Sequence, residues 1–359
     1  MRRLGLLLRW SARDLRARWV QVAAIAVIIA LGSGFYSGLS STSSWRRDSY
    51  DASYAATHLA DLRLTLTTGS YLPADTLRSV ATSIPDAPAV RAASPRLIGP
   101  VQVDASTDAT GTIIVPGLVM GIDVTGRDGA VSLPTAVAGR SLRASDDGRP
   151  VVLLDPHMAR FYHLPASGRL SLSGGRTVDY VGQGFTPEGF VVIAQTGHEA
   201  SAADYAPLVT SLATAQELLD LPGQANDLAL RLAPGADAAT VRAQVDRAMA
   251  AAAPGVGYRW TTRSQDPGRQ LLYDGVESAQ RLYTIFALLL LAGAAFGAFN
   301  LTVRIVESQR REIGVAMALG TPTSRIALRG GLLGLEVAAL GAVLGVGVGV
   351  WLSKLFGSV

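Results

Sequence analysis

The sequence predicts an α-helical membrane region with three spans, joined to a large extracytoplasmic α+β domain that carries an inserted β-rich subdomain. Three apolar stretches of about 18 to 22 residues are nearly free of charge, which is the length that crosses a bilayer. Arginine is concentrated beside these stretches, as it is beside membrane spans. The long region between the first two stretches alternates short strand and helix patterns, as soluble α+β domains do.

These patterns divide the chain into seven consecutive segments. They are a cytoplasmic interfacial helix (1–19), a first span (20–44), the extracytoplasmic domain (45–280, with its β-rich insert at about 100–225), a second span (281–303), a cytoplasmic coupling segment (304–329), a third span (330–353) and an external tail (354–359).

The distribution of charge predicts which side of the membrane each segment occupies. Residues 1–19 and 304–329 together hold eleven arginines against three acidic residues, whereas residues 40–281 hold twenty arginines against twenty-four acidic residues. Because positive charge is retained on the cytoplasmic side, the two basic segments are expected inside and the large domain outside. This distribution, and not nucleic-acid binding, accounts for the net charge of +4, so the bilayer is the expected partner.

The first span is expected to stay in the mature protein. Within residues 1–19, Leu4, Leu7, Leu8 and Leu15 form one helical stripe, and Trp10 and Trp19 suit the headgroup level. The alternative is a secretory signal peptide. An uncleaved span is favoured because the basic part is long, the apolar run has span length, and no A-x-A site follows.

Small residues recur four positions apart in all three spans. The glycines of these ridges are Gly34, Gly38, Gly293, Gly297, Gly341, Gly345 and Gly349. Such ridges let helices approach closely in lipid, so they are predicted to pack helices within the chain or between protomers. Glu336 is the acidic residue within a predicted span, and a structural or gating contact is favoured over a proton relay.

The sequence of the coupling segment predicts a helix, a sharp turn and a second helix. A charged amphipathic helix is expected from Arg304 to Leu319, ending at Gly320 in a left-handed conformation. Thr321 is the expected N-cap and Pro322 the first residue of the following helix. Within the charged helix, Glu307 is spaced to pair with an arginine at position 310 or 311.

The same segment carries a family resemblance. Its residues Arg310-Arg311-Glu312-Ile313-Gly314, Ala318-Leu319-Gly320 and Arg325-Ile326 resemble the signature of FtsX-like ABC-transporter permeases, the family that includes MacB. The resemblance implies a coupling helix that docks on a separate ABC ATPase subunit. The residues that it implies for ATPase coupling are Glu307, Arg310, Arg311, Glu312, Gly314, Gly320 and Arg325. It also implies that the partner uses ATP and Mg, while this chain binds no cofactor.

The sequence of the extracytoplasmic region predicts two subdomains. Alternating leucines at 62, 64 and 66, a short helix at 73–83, a strand at 228–232 and a helix at 237–252 are expected to pack as one membrane-proximal subdomain. Short strands broken by glycine and proline, between about 100 and 225, predict the β-rich insert. The order of segments in this insert resembles the MacB-type periplasmic domain, a resemblance that implies fold and not substrate.

No catalytic constellation is evident in the sequence. His157 and His163 are interpreted as surface residues and not as metal ligands, because no further ligands follow at the required spacing. Lys354 is the single lysine of the chain, which excludes a Walker A loop. The chain is therefore not expected to be an enzyme, and no metal site is predicted.

Three classes of function remain. The favoured one is a permease subunit of an ABC-type transporter or mechanotransmission complex in the bacterial cytoplasmic membrane. The alternatives are a membrane-anchored scaffold or regulator of a cell-envelope enzyme, such as a peptidoglycan hydrolase, and a membrane-tethered enzyme. MacB-type permeases have a fourth span, so further spans or a second permease chain are expected to cover the ridge of Gly341, Gly345 and Gly349. The sequence does not distinguish lipoprotein, peptide or drug as cargo.

Overall fold

The structure is a computed structural model that describes Arg16 and residues 19–106, 113–191, 205–320 and 322–357. The helices of this part are α1 (Trp19–Ala56), α2 (Ala74–Thr82), α3 (Pro156–Phe161), α4 (Leu212–Leu218), α5 (Ala238–Ala252), α6 (Pro267–Ser308), α7 (Arg310–Ala318) and α8 (Thr323–Gly357). Except for Trp19, the residues named for the interfacial helix lie outside the described residues, as does the expected N-cap at Thr321.

The described strands alternate with these helices. They are β1 (Leu62–Leu66), β2 (Leu72–Pro73), β3 (Val90–Asp104), β4 (Ile114–Ile122), β5 (Thr135–Gly139), β6 (Val151–Leu154), β7 (Gly168–Leu172), β8 (Arg176–Phe185), β9 (Ala206–Ser211), β10 (Gln224–Ala225), β11 (Asp227–Leu232) and β12 (Tyr258–Thr262). The chain separates into two compact units, of which one is Tyr50–Tyr273 and the other holds the residues before and after it.

Three of the described helices are long and apolar enough to cross a membrane. The apolar parts are Val22–Ala56, Pro267–Asn300 and Gly334–Lys354. They lie in α1, α6 and α8, which confirms the expected membrane region of three helices. Helix α1 runs on to Ala56, beyond the expected end of the first span at residue 44.

Ten strands of the extracytoplasmic domain form one mixed sheet. Along its main path the order is β12-β1-β11-β3-β4-β9-β6-β8-β5, and β7 pairs with both β3 and β8. The pairs β4–β9 and β6–β8 are parallel, and the remaining pairs of the sheet are antiparallel. The α+β domain predicted from sequence is confirmed.

The two predicted parts of this domain share strand β3. Its first half pairs with β11, whereas its second half pairs with β4. In the first lobe, the leucines of β1 and β11 pack against α2 and α5 in one apolar core, which confirms the predicted packing of these four segments. In the second lobe, a separate core lies among β3, β4, β6, β8 and β9 with helices α3 and α4. The insert therefore extends the sheet of the first lobe.

Local sequence explains why the short helices begin where they do. The Asp155 side chain accepts hydrogen bonds from the backbone N–H groups of His157 and Met158, which caps α3. Asp237 caps α5 in the same way. Both helices start at the first residue after an aspartate because that side chain satisfies N–H groups that the helix leaves free.

Candidate functional site: the coupling segment, the packed spans and a buried ion cluster

The coupling segment forms a short helix between two long ones, but it is not continuous with the helix before it. Helix α6 ends at Ser308, Gln309 has φ −103° and ψ 9°, and α7 begins at Arg310. The expectation of one helix from 304 to 319 is therefore wrong. The break also places Glu307 and the arginines on different helices, and the ion pairs within the described part include none between Glu307 and either arginine.

The turn after α7 follows the sequence prediction only in part. Gly320 has φ +85°, the left-handed conformation predicted for it. Helix α8 begins at Thr323, so Pro322 precedes the helix and is not its first residue. The proline still suits this place, because the residue before a helix needs no intrahelical N–H bond.

Most of the coupling-segment residues whose exposure the structure describes are exposed, whereas Gln309 and Ile313 are half-buried. Glu307, Arg310, Arg311 and Gly314 are exposed, and Leu319 at the end of α7 is 82% exposed. The backbones of Glu312 and Arg325 lie in α7 and α8, whereas their side chains lie outside the described part. Helix α7 therefore presents charged and apolar side chains together on one short element.

Helices α1 and α8 pack through their small-residue ridges. A Cβ added to Gly34 would lie 2.8 Å from Val348 Cβ and 2.9 Å from the Gly345 carbonyl oxygen. A Cβ added to Gly38 would lie 2.9 Å from the Gly349 carbonyl oxygen. Only glycine allows the two backbones to approach this closely.

The opposite side of this contact holds two serines that sequence reasoning missed. A Cβ at Gly345 would clash with the Ser33 hydroxyl, and one at Gly349 would clash with the Ser37 hydroxyl. Both hydroxyls donate to carbonyl oxygens of their own helix, Ser33 to Ile29 at 2.7 Å and Ser37 to Gly34 at 3.3 Å. The helix that covers the ridge of α8 is therefore α1 of the same chain, and the expectation that further spans or a second permease chain cover this ridge is wrong.

The ridge of α6 differs. No atom described by the structure lies within 4 Å of a Cβ added to Gly293, and for Gly297 the nearest is Ile25 Cγ1 at 3.8 Å. Ala287 and Ala294 of α6 are buried, and a Cβ added to Gly32 of α1 would lie 3.2 Å from Leu290 Cβ of α6. Glu336 is half-buried beside Val337, which packs against α1. The packing role of Gly293 and Gly297 and the role of Glu336 stay predictions.

One face of the first lobe's sheet packs against its apolar core. A cluster of buried charged residues lies on the opposite face. Arg96 of β3 and Asp227 of β11 are paired in register, and Thr65 of β1 is the register partner of Asp227 on its other side. Arg96 Nε donates to Asp227 Oδ1 at 2.7 Å, and Arg63 Nε donates to Asp227 Oδ2 at 2.6 Å. Asp227 is fully buried and Arg96 is 1% exposed.

A loop residue completes this cluster. Glu188 Oε1 accepts from Arg96 at 2.8 Å and from the Ser132 hydroxyl at 2.6 Å. Burial alone would raise the pKa of the Glu188 and Asp227 carboxyls, but the charges of Arg96 and Arg63 outweigh it and lower both. Paired in this way, the charges tie the loop that contains Glu188 to the sheet. Charged residues in otherwise apolar strands were the available sequence signal, but one sequence does not show which charges meet.

The described part of the chain holds no group of three or more His, Cys, Asp or Glu side chains arranged to bind a metal ion. His157 lies next to Asp155, with Nδ1 3.3 Å from Asp155 Oδ1, and is partly exposed. Its pKa is raised, first by this side-chain contact. The pair lies at the start of α3.

Three helices long enough to span a membrane and a large domain built on a mixed sheet define a class: membrane proteins that carry a large folded α+β domain. The profile of the MacB-like periplasmic core domain matches residues 22–248, and that of the FtsX-like permease C-terminal domain matches residues 284–359. The chain belongs to the FtsX/MacB-type permease family. Members are membrane-embedded subunits of ABC-type transporters, typically without a catalytic site, and the family implies an ATPase partner.

Two solved structures are similar to part of the chain. The periplasmic region of MacB from Actinobacillus actinomycetemcomitans has 9% identity and a TM-score of 0.41, covering 61% of this chain and 95% of that one. The extracellular domain of the noncanonic ABC-type transporter YknZ from Gram-positive bacteria has 9% identity and a TM-score of 0.37, covering 56% and 98%. No curated protein matches the chain.

Proposed function

We propose that this chain passes the motion of a partner ATPase to its extracytoplasmic domain. The observation that carries the proposal is helix α7, a short exposed helix held between two helices long enough to span the membrane. Its first turn presents Arg310 and Arg311 to solvent. A partner that moves α7 therefore acts on α6 and α8 together, since α7 is joined to one by a single residue and to the other by a short turn.

The flanking elements support this role. Helix α6 begins at Pro267, within the extracytoplasmic unit, and reaches Ser308 without a break. A hydrogen-bonded helix of this kind transmits displacement along its axis because its backbone bonds resist extension. The breaks at Gln309 and Gly320 are where α7 changes direction relative to its neighbours.

The proposal further places the chain in the bacterial cytoplasmic membrane, with an ABC ATPase as partner and ATP and Mg bound by that partner. Family membership supports the ATPase, and the arginine-rich segments support the orientation. A second permease chain is proposed to pack against the exposed faces of α6. The alternative, a passive scaffold of a cell-envelope enzyme, gains no support from a specific observation and serves as an outcome of the test.

The test uses the double variant Arg311→Ala with Glu312→Ala in the complex co-purified with its ATPase. The ratio of the ATPase rate of the complex to that of the free ATPase should fall toward one, because α7 loses charges that the partner contacts. Stability should change by only about 0.5 kcal/mol, since these substitutions lie on an exposed helix.

The matched control is Arg169→Ala with Asp179→Ala, an exposed ion pair of the extracytoplasmic domain with an Nε to Oδ1 distance of 3.0 Å. It also removes one arginine and one acidic residue and should leave the rate unchanged. An unaltered rate in the α7 variant, or no ATPase bound to the parent chain, would contradict the proposal and favour the scaffold.

A further inference from the structure

The extracytoplasmic domain contains a cavity of about 250 Å³ near the ion cluster. Most of its wall is apolar, formed by side chains such as Ile98, Leu118, Met120, Phe185 and Val209. The charged side chains that line it are Arg63, Asp155, Glu188 and Asp266. An apolar cavity with a few converging polar groups is the usual form of a small-molecule site.

One carboxylate oxygen in this wall has no hydrogen-bond partner among the residues that the structure describes. Glu188 is 7% exposed, and its Oε1 atom is held by Arg96 and Ser132. Its Oε2 atom is buried and accepts no hydrogen bond from any residue that the structure describes. A buried carboxylate oxygen without a donor is costly, so this oxygen, which no described residue bonds, is suited to accept from a ligand.

A second carboxyl, that of Asp266, lines the same cavity. A Cβ added to Gly268 would lie 3.4 Å from Asp266 Oδ1 and 3.1 Å from the backbone carbonyl oxygen of Glu188, so Asp266 Oδ1 lies near the Glu188 backbone. Asp266 Oδ1 accepts from the Arg269 backbone N–H at 2.9 Å. Burial raises the pKa of Asp266, and the charge of Glu188 raises it further.

The charges of the buried group do not balance. Arg63 and Arg96 supply two positive charges, and Asp227, Glu188 and Asp266 supply three negative charges when all are ionised. One positive charge is missing when Asp266 is ionised, and burial together with the charge of Glu188 raises the pKa of Asp266, so a bound cation would favour its ionised form. A cation at Asp266 and Glu188 would complete the group.

We infer that the cavity binds a small amphipathic ammonium compound, with its ammonium group at Glu188 and Asp266 and its apolar body against Leu118, Met120 and Phe185. An ammonium group offers three donors and keeps its charge at neutral pH, as lysine does. An apolar cavity of about 150 Å³ holds one benzene molecule, so this one has room for a single ring with a short amine chain. The inference does not rest on coupling to an ATPase.

The experiment compares phenethylamine with its neutral isostere 2-phenylethanol. Both are titrated by calorimetry into the full chain in detergent at pH 7, with detergent-only titrations subtracted. We expect saturable binding of the amine at one site, roughly tenfold tighter than the alcohol, because only the amine forms a charge-assisted bond to the carboxylates. Equal affinities, or no saturable binding of the amine, would overturn the inference.

Two variants locate the site. Asp266→Asn keeps an acceptor for the Arg269 N–H and should reduce the preference for the amine toward one, while the exposed control Asp179→Asn should retain it. Leu118→Trp, which fills the apolar part, should weaken both compounds. A preference for the amine that persists in Asp266→Asn, or binding unaffected by Leu118→Trp, would also overturn it.

Discussion

The membrane helices and the extracytoplasmic domain hold together by different means. The domain has two apolar cores and also buries the ion pair of Arg96 and Asp227. Helices α1 and α8 instead meet at glycines, with serine hydroxyls bonded to their own helix. The difference follows from the solvent. Burial of apolar surface stabilises the domain in water, whereas helices in lipid gain mainly from close packing.

Glycine ridges with the same four-residue spacing differ in whether another helix packs on them. Those of α1 and α8 interlock, while Gly293 of α6 is open. Of the apolar window in α6, 11% is buried, against 39% for that in α1. A small-residue ridge in the sequence therefore indicates a capacity for close packing, and the partner ridge decides whether it is used.

The largest expected effect comes from breaking the ion cluster. Arg96→Met leaves Asp227 and Glu188 buried with one charge partner fewer, which should destabilise the domain by about 3–5 kcal/mol. Pulse proteolysis in urea, applied to the detergent-solubilised chain, measures the change. Arg169→Met, at an arginine whose side chain is 72% exposed, is the control and should stay within about 0.5 kcal/mol. Equal effects would show that the cluster contributes nothing to stability.

Next comes the contact between α1 and α8. Gly345→Leu should push the helices apart, costing about 1–3 kcal/mol as overpacking does in cores, and should lower the temperature at which the solubilised chain loses helicity. Gly293→Leu makes the same change on the open ridge of α6 and should have little effect on the isolated chain. If Gly293→Leu proved the more damaging of the two, the assignment of the packed ridge would be wrong.

The smallest expected effect is the response of the domain to pH. Asp227 and Glu188 have lowered pKa values when folded, so their contribution to stability is present above the unfolded pKa, near 4, and is lost as pH falls through the folded values. Asp266 has a raised pKa, so its contribution is present at low pH and is lost as pH rises through the folded value. Asp266→Asn should therefore flatten the decline on the alkaline side only. The urea concentration at the midpoint of unfolding, measured between pH 3 and 8, reports the loss of stability at both ends of this range. If Asp266→Asn left the decline at higher pH unchanged, the raised pKa assigned to Asp266 would be contradicted.

The sequence predicts the spans and the short elements of the domain because each carries a local period or a break. The helix at Ala238–Ala252 and the strand at Asp227–Leu232 appear within a residue or so of their expected bounds. The break at Gln309 was not predictable, because its neighbours all favour helix. The cluster of Arg96, Asp227 and Glu188 was missed because its members lie far apart in the chain and meet only through strand register and a loop.

The central claim requires α7 and the extracytoplasmic domain to lie on opposite sides of the membrane, so that motion passes from one to the other. Because the chain contains no cysteine, single cysteines at Ser106 and Ser308, both exposed, report which side each region occupies. Spheroplasts are treated with a membrane-impermeant thiol reagent, with the cysteine-free parent as control. The account predicts that position 106 is labelled at once and position 308 only after lysis. Labelling of position 308 in intact spheroplasts, or protection of position 106, would contradict it.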